Sequence, residues 1–202
     1  PDHIGGVDKL RARFQCPVYG PVSSNIPQVT HPLTEGDKVE ILGVSFSVFE
    51  VPGHTLDHIV YYSDDIGESP VLFAGDTLFA AGCGRLFEGT AEQMYSSLVK
   101  LANLPATTKV YCAHEYTLAN LTFAVAVEPK NPDVVARFDE VRNLRSRNVA
   151  TVPSTIAIER QTNPFLRWAE QGVIDAAGAQ LGHPPQSAVE TFATIRSWKD
   201  NF

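Results

Sequence analysis

The feature that most constrains this 202-residue chain is an ordered set of His and Asp residues. The set comprises Asp2-His3, Gly53-His54-Thr55, Gly75-Asp76-Thr77 and Ala113-His114-Glu115. The last three members each follow a short β-type run, and a sheet scaffold presents functional side chains on the loops that follow its strands. Strand ends that meet at one edge would gather imidazoles and carboxylates, which are ligands of zinc, iron or manganese. The pattern therefore predicts a sheet-based metal site, and the lack of a Cys in the set leaves the metal open.

Hydrophobic periodicity predicts mostly strands before His114 and mostly helices after it. Strands are expected within Val39–Val51, with a turn at Leu42-Gly43, and at Ile59–Tyr62, Pro70–Ala74 and Lys109–Cys112. Helices are expected at Val7–Phe14, Ala91–Leu104, Tyr116–Val127, Pro132–Arg147 and Ser187–Lys199. Thr90 is a typical N-cap, and Met94, Leu98 and Leu101 supply an apolar face to the helix that follows it.

These residues together resemble a known family. The order Asp-His, Gly-His-Thr, Gly-Asp-Thr, His-Glu-Tyr is similar to that of the metallo-β-lactamase superfamily. Within it, the segments Phe79–Arg85, Cys112–Tyr116 and Thr162–Phe165 resemble glyoxalase II, the hydroxyacylglutathione hydrolases. The resemblance runs from Pro1 to Phe202. It implies an α/β (α+β) fold with two domains. Residues 1–115 would form a metal-binding αββα sandwich that lacks its N-terminal strands, and residues 116–202 would form a helical substrate-binding domain.

The resemblance also implies two divalent metal ions, with zinc expected and iron or manganese as alternatives. Asp2, His3 and His114 would bind one metal, and Asp76 would bridge both. His54 would bind the other metal together with two histidines that the family carries just before Asp2. The sequence begins after those two positions, so the metal site that contains His54 is expected to be incomplete. Asp2 and Asp76 would orient the metal-bound hydroxide that attacks the substrate.

Substrate-binding residues are implied by the same resemblance. Arg196 and Lys199 are three apart on a predicted helix and share one face, which by itself is typical of a solvated surface. The matching positions in glyoxalase II bind glutathione, as do those of Arg85 and Tyr116, and cationic side chains suit its carboxylates. Phe87 stands where many relatives carry a Tyr, which would remove one hydroxyl contact to glutathione.

The implied activity is hydrolysis of an S-(2-hydroxyacyl)glutathione, such as S-D-lactoylglutathione, to a 2-hydroxy acid and glutathione. The superfamily also contains lactamases and persulfide dioxygenases, and the long helical tail with Arg196 and Lys199 argues against both. A different class of alternative is a metal-binding fragment without catalytic activity, because the expected ligand set is not complete.

Composition limits the partners and the compartment. The net charge of −7 argues against general nucleic-acid binding and against a basic membrane surface. No apolar run approaches the roughly 20 residues that span a bilayer. The three cysteines are widely spaced, which is typical of reduced thiols in the cytoplasm. The chain begins with Pro, so an organellar targeting segment stays an alternative, and we expect a monomer.

Overall fold

The structure is a computed structural model that describes residues 3–23 and 25–202, so the predicted ligand Asp2 lies outside the described residues. The elements before His114 are α1 (Val7–Phe14), β1 (Tyr19–Pro21), β2 (His31–Leu33), β3 (Lys38–Ile41), β4 (Val44–Glu50), β5 (Ile59–Ser63), β6 (Val71–Gly75), β7 (Leu78–Phe79), β8 (Gly82–Cys83), α2 (Ala91–Ala102) and β9 (Lys109–Cys112). Those after it are α3 (Thr117–Val127), α4 (Pro132–Ser146), β10 (Ser154–Thr155), α5 (Ile156–Thr162), α6 (Gln171–Leu181) and α7 (Ala188–Asp200).

A six-stranded mixed sheet forms the scaffold, in the order β10-β9-β6-β5-β4-β3. β6 and β9 pair in parallel, and the other neighbours pair antiparallel. The predicted hairpin is present, because Leu42 and Gly43 both have positive φ angles and connect β3 to β4. The parallel pair matters for the site, since the carboxyl ends of β6 and β9 open at the same edge of the sheet.

The two faces of the sheet have different coverings. Along β6, Leu72 and Ala74 point into the main core, where the sheet meets the apolar sides of α2 and α7. Val71 and Phe73 point to the opposite face, which carries a smaller apolar cluster. This alternation is the side-chain period of a strand, and it allows one strand to serve two layers. Phe73 is 44% exposed, so the second face is only partly covered by the described residues.

The strongest helix prediction is confirmed in detail. α2 begins with Thr90 in a capping box with Gln93, and Met94, Leu98 and Leu101 are fully buried. A Thr hydroxyl and a Gln side chain that bond reciprocally to the first turn satisfy donors that would otherwise be orphaned. α1 is present as predicted, but it has no buried residue, and its apolar side chains Leu10 and Phe14 are exposed.

Three elements of the second half were not predicted. They are the edge strand β10 and the helices α5 and α6. β10 pairs antiparallel with β9, so the helical half of the chain contributes a strand to the sheet. Directly after β10, α5 passes beneath the hairpin formed by β7 and β8, and this position becomes important at the functional site.

We call the β7–β8 unit the Leu78–Cys83 hairpin. Its two strands pair Leu78 with Cys83 and Phe79 with Gly82, which leaves Ala80 and Ala81 as a two-residue turn. Ala81 has a φ of 56°, a left-handed conformation in which Gly or Asn is the usual residue. Side chains from the helical half must therefore hold this hairpin in place. Among the described residues, no helix is long and apolar enough to cross a membrane.

Candidate metal centre

The predicted metal ligands converge at one edge of the sheet. Asp76 directly follows β6, and His114 lies two residues after β9. Because these strands are parallel neighbours, their following loops emerge side by side. His54 lies in the loop after β4, and His3 lies just before α1. The structure thus brings together four of the five predicted ligands, and the fifth, Asp2, lies outside the described residues.

The Asp76 carboxylate is the centre of this cluster. Its Oδ2 lies 2.6 Å from His3 Nε2 and 3.5 Å from His54 Nε2. Its Oδ1 lies 3.3 Å from His114 Nε2. One ligand atom from each of His3, Asp76 and His114 lies within 4.8 Å of the other two. The Asp76 side chain is only 8% exposed, so the imidazoles surround a carboxylate that is nearly removed from water.

This donor set fits a divalent cation. Asp76 Oδ1 is buried and accepts no hydrogen bond from the part of the chain that the structure describes. A buried carboxylate oxygen without a hydrogen bond is costly, whereas a cation among the imidazoles would satisfy it. Imidazole nitrogen and carboxylate oxygen suit zinc and also iron or manganese, so the geometry supports a metal without selecting one.

Hydrogen bonds behind the ligands fix their orientation. His54 Nδ1 lies 2.8 Å from the carbonyl oxygen of Arg85, which directs its Nε2 toward Asp76. His58 Nε2 accepts a hydrogen bond of 3.1 Å from the backbone N–H of Asp76. The pKa of His58 is lowered to about 4, mainly by burial and also by neighbouring His54 and His3, although the Asp76 carboxylate opposes the shift, so His58 is neutral at pH 7 and can accept. Such outer partners hold metal ligands in the productive rotamer.

Two glycines allow the backbone to pack this closely. Gly75 has a φ of 51°, and a Cβ there would lie 2.5 Å from His58 Cε1. A Cβ on Gly84 would lie 2.0 Å from the carbonyl oxygen of Asp76 and 3.2 Å from the His54 ring. The segment after the Leu78–Cys83 hairpin is therefore pressed against two predicted ligands, and no larger residue fits at Gly84.

Aromatic rings line the opening of the centre. Tyr116 stacks on His114 with ring centroids 4.9 Å apart and planes inclined by 14°. Phe79 contacts both rings, at 6.0 Å from His114 and 5.5 Å from Tyr116. Phe87 lies 4.8 Å from His54 and is 69% exposed. The predicted substrate residue Tyr116 thus contacts the predicted metal ligand His114 directly.

The predicted cationic residues lie on the other side of the hairpin. Arg196 is 3% exposed, and its Nη1 donates to the carbonyl oxygen of Cys83 at 3.0 Å, while Nη2 donates to Asp200 at 3.1 Å. Arg85 is 65% exposed and lies 3.8 Å from the same Asp200 carboxylate. Asp200 had no predicted role, although its i,i+4 spacing from Arg196 is a helical ion-pair signal.

Lys199 is the second cation of α7. Its ammonium donates to the carbonyl oxygen of Ala119 at 3.2 Å and lies 4.9 Å above the Phe123 ring. Burial, and after it the nearby charge of Arg196, together lower its pKa to about 8. Lys199 is only partly buried, whereas Arg196 is buried and bonded to the hairpin and to Asp200, and the substrate-binding role of both stays a prediction.

Comparisons with known proteins agree with this geometry. The profile of the metallo-β-lactamase superfamily matches residues 1–114, and the profile for the hydroxyacylglutathione hydrolase C-terminus matches residues 115–202. Among curated proteins, hydroxyacylglutathione hydrolases of Pseudomonas putida KT2440 and Pseudomonas aeruginosa PAO1 are 56% and 52% identical over 201 residues. The match covers 100% of this chain and 77% of each relative.

Solved structures give the same fold. The crystal structure of ETHE1 from Myxococcus xanthus matches this chain with a TM-score of 0.60 and 27% sequence identity. The matched region is 95% of this chain and 62% of the ETHE1 chain. The structure of TTHA1623 in a di-iron-bound form matches with a TM-score of 0.54 and 25% sequence identity. The matched region is 82% of this chain and 72% of the TTHA1623 chain. The fold and the gathered His and Asp side chains therefore define a member of the metallo-β-lactamase superfamily.

Within that superfamily, the sequence identity of more than 50% to hydroxyacylglutathione hydrolases, over the whole chain, shows which family it is. The chain belongs to the hydroxyacylglutathione hydrolases, which are thioester hydrolases. The predicted fold class and the predicted family are both confirmed. The individual ligand and substrate-binding assignments stay predictions, and the distances above bring together His3, His54, Asp76 and His114.

Proposed function

We propose that this chain is a metal-dependent thioester hydrolase that cleaves S-(2-hydroxyacyl)glutathione, such as S-D-lactoylglutathione, to a 2-hydroxy acid and glutathione. The observation that carries the proposal is the buried Asp76 carboxylate with imidazole nitrogens of His3, His54 and His114 at 2.6–3.5 Å. Family membership supports the choice of a thioester, because the matched relatives are hydroxyacylglutathione hydrolases over the entire chain.

Two metal positions are compatible with the cluster. His3, His114 and Asp76 would hold one ion, with Asp2 as a further proposed ligand, and His54 and the shared Asp76 would hold the other. Zinc is the proposed metal, with iron or manganese as alternatives, and TTHA1623 has been solved in a di-iron form. When bound, such ions lower the pKa of water from 15.7 to about 7 and polarise a carbonyl oxygen.

The residues of the chain itself shape and shield the reaction. Asp76 fixes three imidazoles around one point, and with Asp2 it is proposed to orient the attacking water. The rings of Phe79 and Tyr116 cover one side of the ligands and reduce access of bulk water. A thiolate is a good leaving group, so the arrangement requires no strong general acid beside the sulfur.

Glutathione recognition is proposed for the outer side of the cluster. Arg85 and Lys199 offer positive charge at its surface, and Tyr116 offers a hydroxyl beside the ligands. Arg196 is proposed to contribute to glutathione binding by holding the Cys83 carbonyl in place and by adding positive electrostatic potential beneath the Leu78–Cys83 hairpin. Charge-assisted hydrogen bonds from such groups to carboxylates are about twice as strong as neutral ones.

Three further proposals concern the organisation of the molecule. We propose that residues 1–115 bind metal and residues 116–202 cover the substrate. We propose a monomer, which size-exclusion chromatography with light scattering tests. We also propose a reducing compartment such as the cytoplasm, because Cys16, Cys83 and Cys112 are all free and burial raises the pKa of the last two.

Thiol release from S-D-lactoylglutathione tests the function. The protein is prepared with whatever residues precede Pro1 in its gene, loaded with zinc, iron or manganese, and compared with the P. putida relative. Asp76→Asn should lower kcat/KM by more than about 100-fold, since even outer partners of metal ligands are worth 10–100-fold. Asp64→Asn, an exposed loop carboxylate, serves as the control and should leave the rate unchanged.

A panel of substrates separates the alternatives. Glutathione thioester, a β-lactam and glutathione persulfide under oxygen are offered to the same metal-loaded protein. Turnover of the thioester alone supports the proposal. Metal binding without thioester hydrolysis, or faster turnover of either other substrate, would refute it.

A further inference from the structure

A buried carboxylate behind the metal centre has no part in the proposed chemistry. Glu159 on α5 is 0% exposed and lies directly beneath the Leu78–Cys83 hairpin. Its Oε1 accepts from Arg137 Nη2 at 2.7 Å and from Ser154 Oγ at 2.5 Å. Its Oε2 accepts from the Ala81 backbone N–H at 2.7 Å and from Asn163 Nδ2 at 2.9 Å. A carboxylate offers about four acceptor sites, and here all four are occupied.

The two oxygens of Glu159 face different parts of the molecule. The partners of Oε1, Arg137 and Ser154, line a groove of about 540 Å³ between α4 and α5. Oε2 faces the turn of the hairpin, where Ala81 adopts its left-handed φ of 56°. A non-glycine residue in this conformation persists only when its surroundings fix it, and such residues cluster at functional sites.

The hairpin links this turn to the metal ligands. Phe79 before the turn packs on His114 and Tyr116. After the turn, Gly84 is pressed against Asp76, and the carbonyl of Arg85 orients His54. A movement of the turn is therefore transmitted to both sides of the metal centre within four residues.

We propose that Glu159 is a positioning residue, which sets the metal centre by fixing the Ala81 N–H and through it the Leu78–Cys83 hairpin. This inference rests on the proposed function for its zinc-binding and kinetic effects, whereas exchange of the Ala81 amide depends on neither. The alternative is a buried ion pair with Arg137 that stabilises the packing of α4 on α5 and has no influence on the site. Buried ion pairs are weak evidence for stability, which leaves specific positioning as the better reason for this one.

Three variants separate the two roles. Glu159→Gln keeps the shape but exchanges one acceptor oxygen for a donor NH₂. Arg137 donates to the remaining oxygen, so the NH₂ group is expected to face the N–H of Ala81. Adding Arg137→Met frees the amide oxygen to turn toward Ala81, while the NH₂ group can donate to Ser154. Ser154→Ala removes hydrogen bonds on the Oε1 side only, namely those of the Ser154 hydroxyl with Glu159 and with Arg137, and is the matched control.

Three measurements are made on each variant of the full chain. They are the hydrogen-exchange rate of the Ala81 amide, the zinc dissociation constant by competition with a chromophoric chelator, and kcat and KM for the thioester. For Glu159→Gln we expect faster Ala81 exchange, about ten-fold weaker zinc binding and about ten-fold lower kcat/KM, the lower end of the range for outer partners of metal ligands. Ser154→Ala should stay within about two-fold of wild type, and the double variant should recover zinc affinity and rate.

The outcomes are decisive in each direction. Wild-type zinc affinity and exchange in Glu159→Gln, with only a lower melting temperature, would leave Glu159 as an ion-pair partner and overturn the proposal. Failure of Arg137→Met to restore zinc binding in the double variant would overturn it as well. If the wild type hydrolyses no thioester, the proposed function fails, while amide exchange still decides the role of Glu159.

Discussion

Lys199 gives the sharpest prediction about substrate binding, because its charge changes in an accessible pH range. Its ammonium is partly buried on α7, and burial lowers its pKa to about 8, with Arg196 as the second cause. Cys83 also faces this ammonium, and burial raises the pKa of its thiol, so it adds no charge at moderately alkaline pH. Arginine side chains keep their charge throughout this range. Lys199 is therefore the group of this cluster whose charge is lost between pH 7 and 9.

The size of the effect follows from that pKa. With a value of about 8, the charged fraction of Lys199 falls from about nine-tenths at pH 7 to about one-tenth at pH 9. If the ammonium binds a glutathione carboxylate, KM should rise by about ten-fold over this interval. The value of kcat should not follow the same curve, because Lys199 is not among the groups placed at the reacting carbonyl.

Initial rates of thioester hydrolysis between pH 6.5 and 9.25 test this, with the uncatalysed rate subtracted at each pH. Lys199→Arg is the control, because a guanidinium keeps its charge and should give a KM that does not change with pH. Lys199→Met should show the high KM at every pH. An equal rise of KM in wild type and Lys199→Arg would assign the effect to the substrate's own amino group. A KM for Lys199→Met that is as low as that of wild type at pH 7 and does not change with pH would refute a contact between the Lys199 ammonium and a glutathione carboxylate.

Other expectations concern stability and the fit of the centre. Glu128→Ala should lower the free energy of unfolding in urea by about 3 kcal/mol, because Arg167 loses two hydrogen bonds of 2.7 and 3.0 Å to this nearly buried carboxylate. A loss below about 1 kcal/mol would mean that the pair behaves as an ordinary surface ion pair. Phe123→Ala should cost about 3–5 kcal/mol in the same assay, since the ring is fully buried. Gly84→Ala should weaken zinc binding while Gly6→Ala, with nothing within 4 Å of its added Cβ, should not; equal zinc affinities would contradict the close approach described here.

Sequence patterns recovered the elements whose signals are local. The capping box at Thr90 and the turn at Leu42-Gly43 are both readable from neighbouring residues, and both are present. α6 was missed although Gly182 ends it in a left-handed conformation, which is a visible stop signal. α5 was missed because it has only seven residues, too few for a periodic pattern to emerge.

The residues of the candidate site likewise fall into those that the sequence predicted and one that it did not. His54, Asp76 and His114 were found because each follows a strand, and the sheet topology makes those strand ends meet. Glu159 was not found, because a lone Glu within a helical segment is typical of a solvated surface. The contact on which its proposed role rests is with Ala81, 78 residues away in sequence. Only the folded chain places that donor beside that acceptor.

The Leu78–Cys83 hairpin bonds the two halves of the chain to each other beside the candidate metal centre. Its backbone offers four carbonyls and one N–H to the helical half: Asn163 donates to Phe79 and Gly82, Asn120 to Ala80 and Arg196 to Cys83, while Glu159 accepts from Ala81. Each such group, if left buried and unsatisfied, costs about 1–3 kcal/mol. A chain that ends at residue 115 would leave all five without these partners, so the hairpin could not hold its position against Asp76 and His54. We therefore expect the helical half to be required for the proposed metal centre itself, and removal of that half should abolish zinc binding, which a chelator competition assay on the shortened chain would measure.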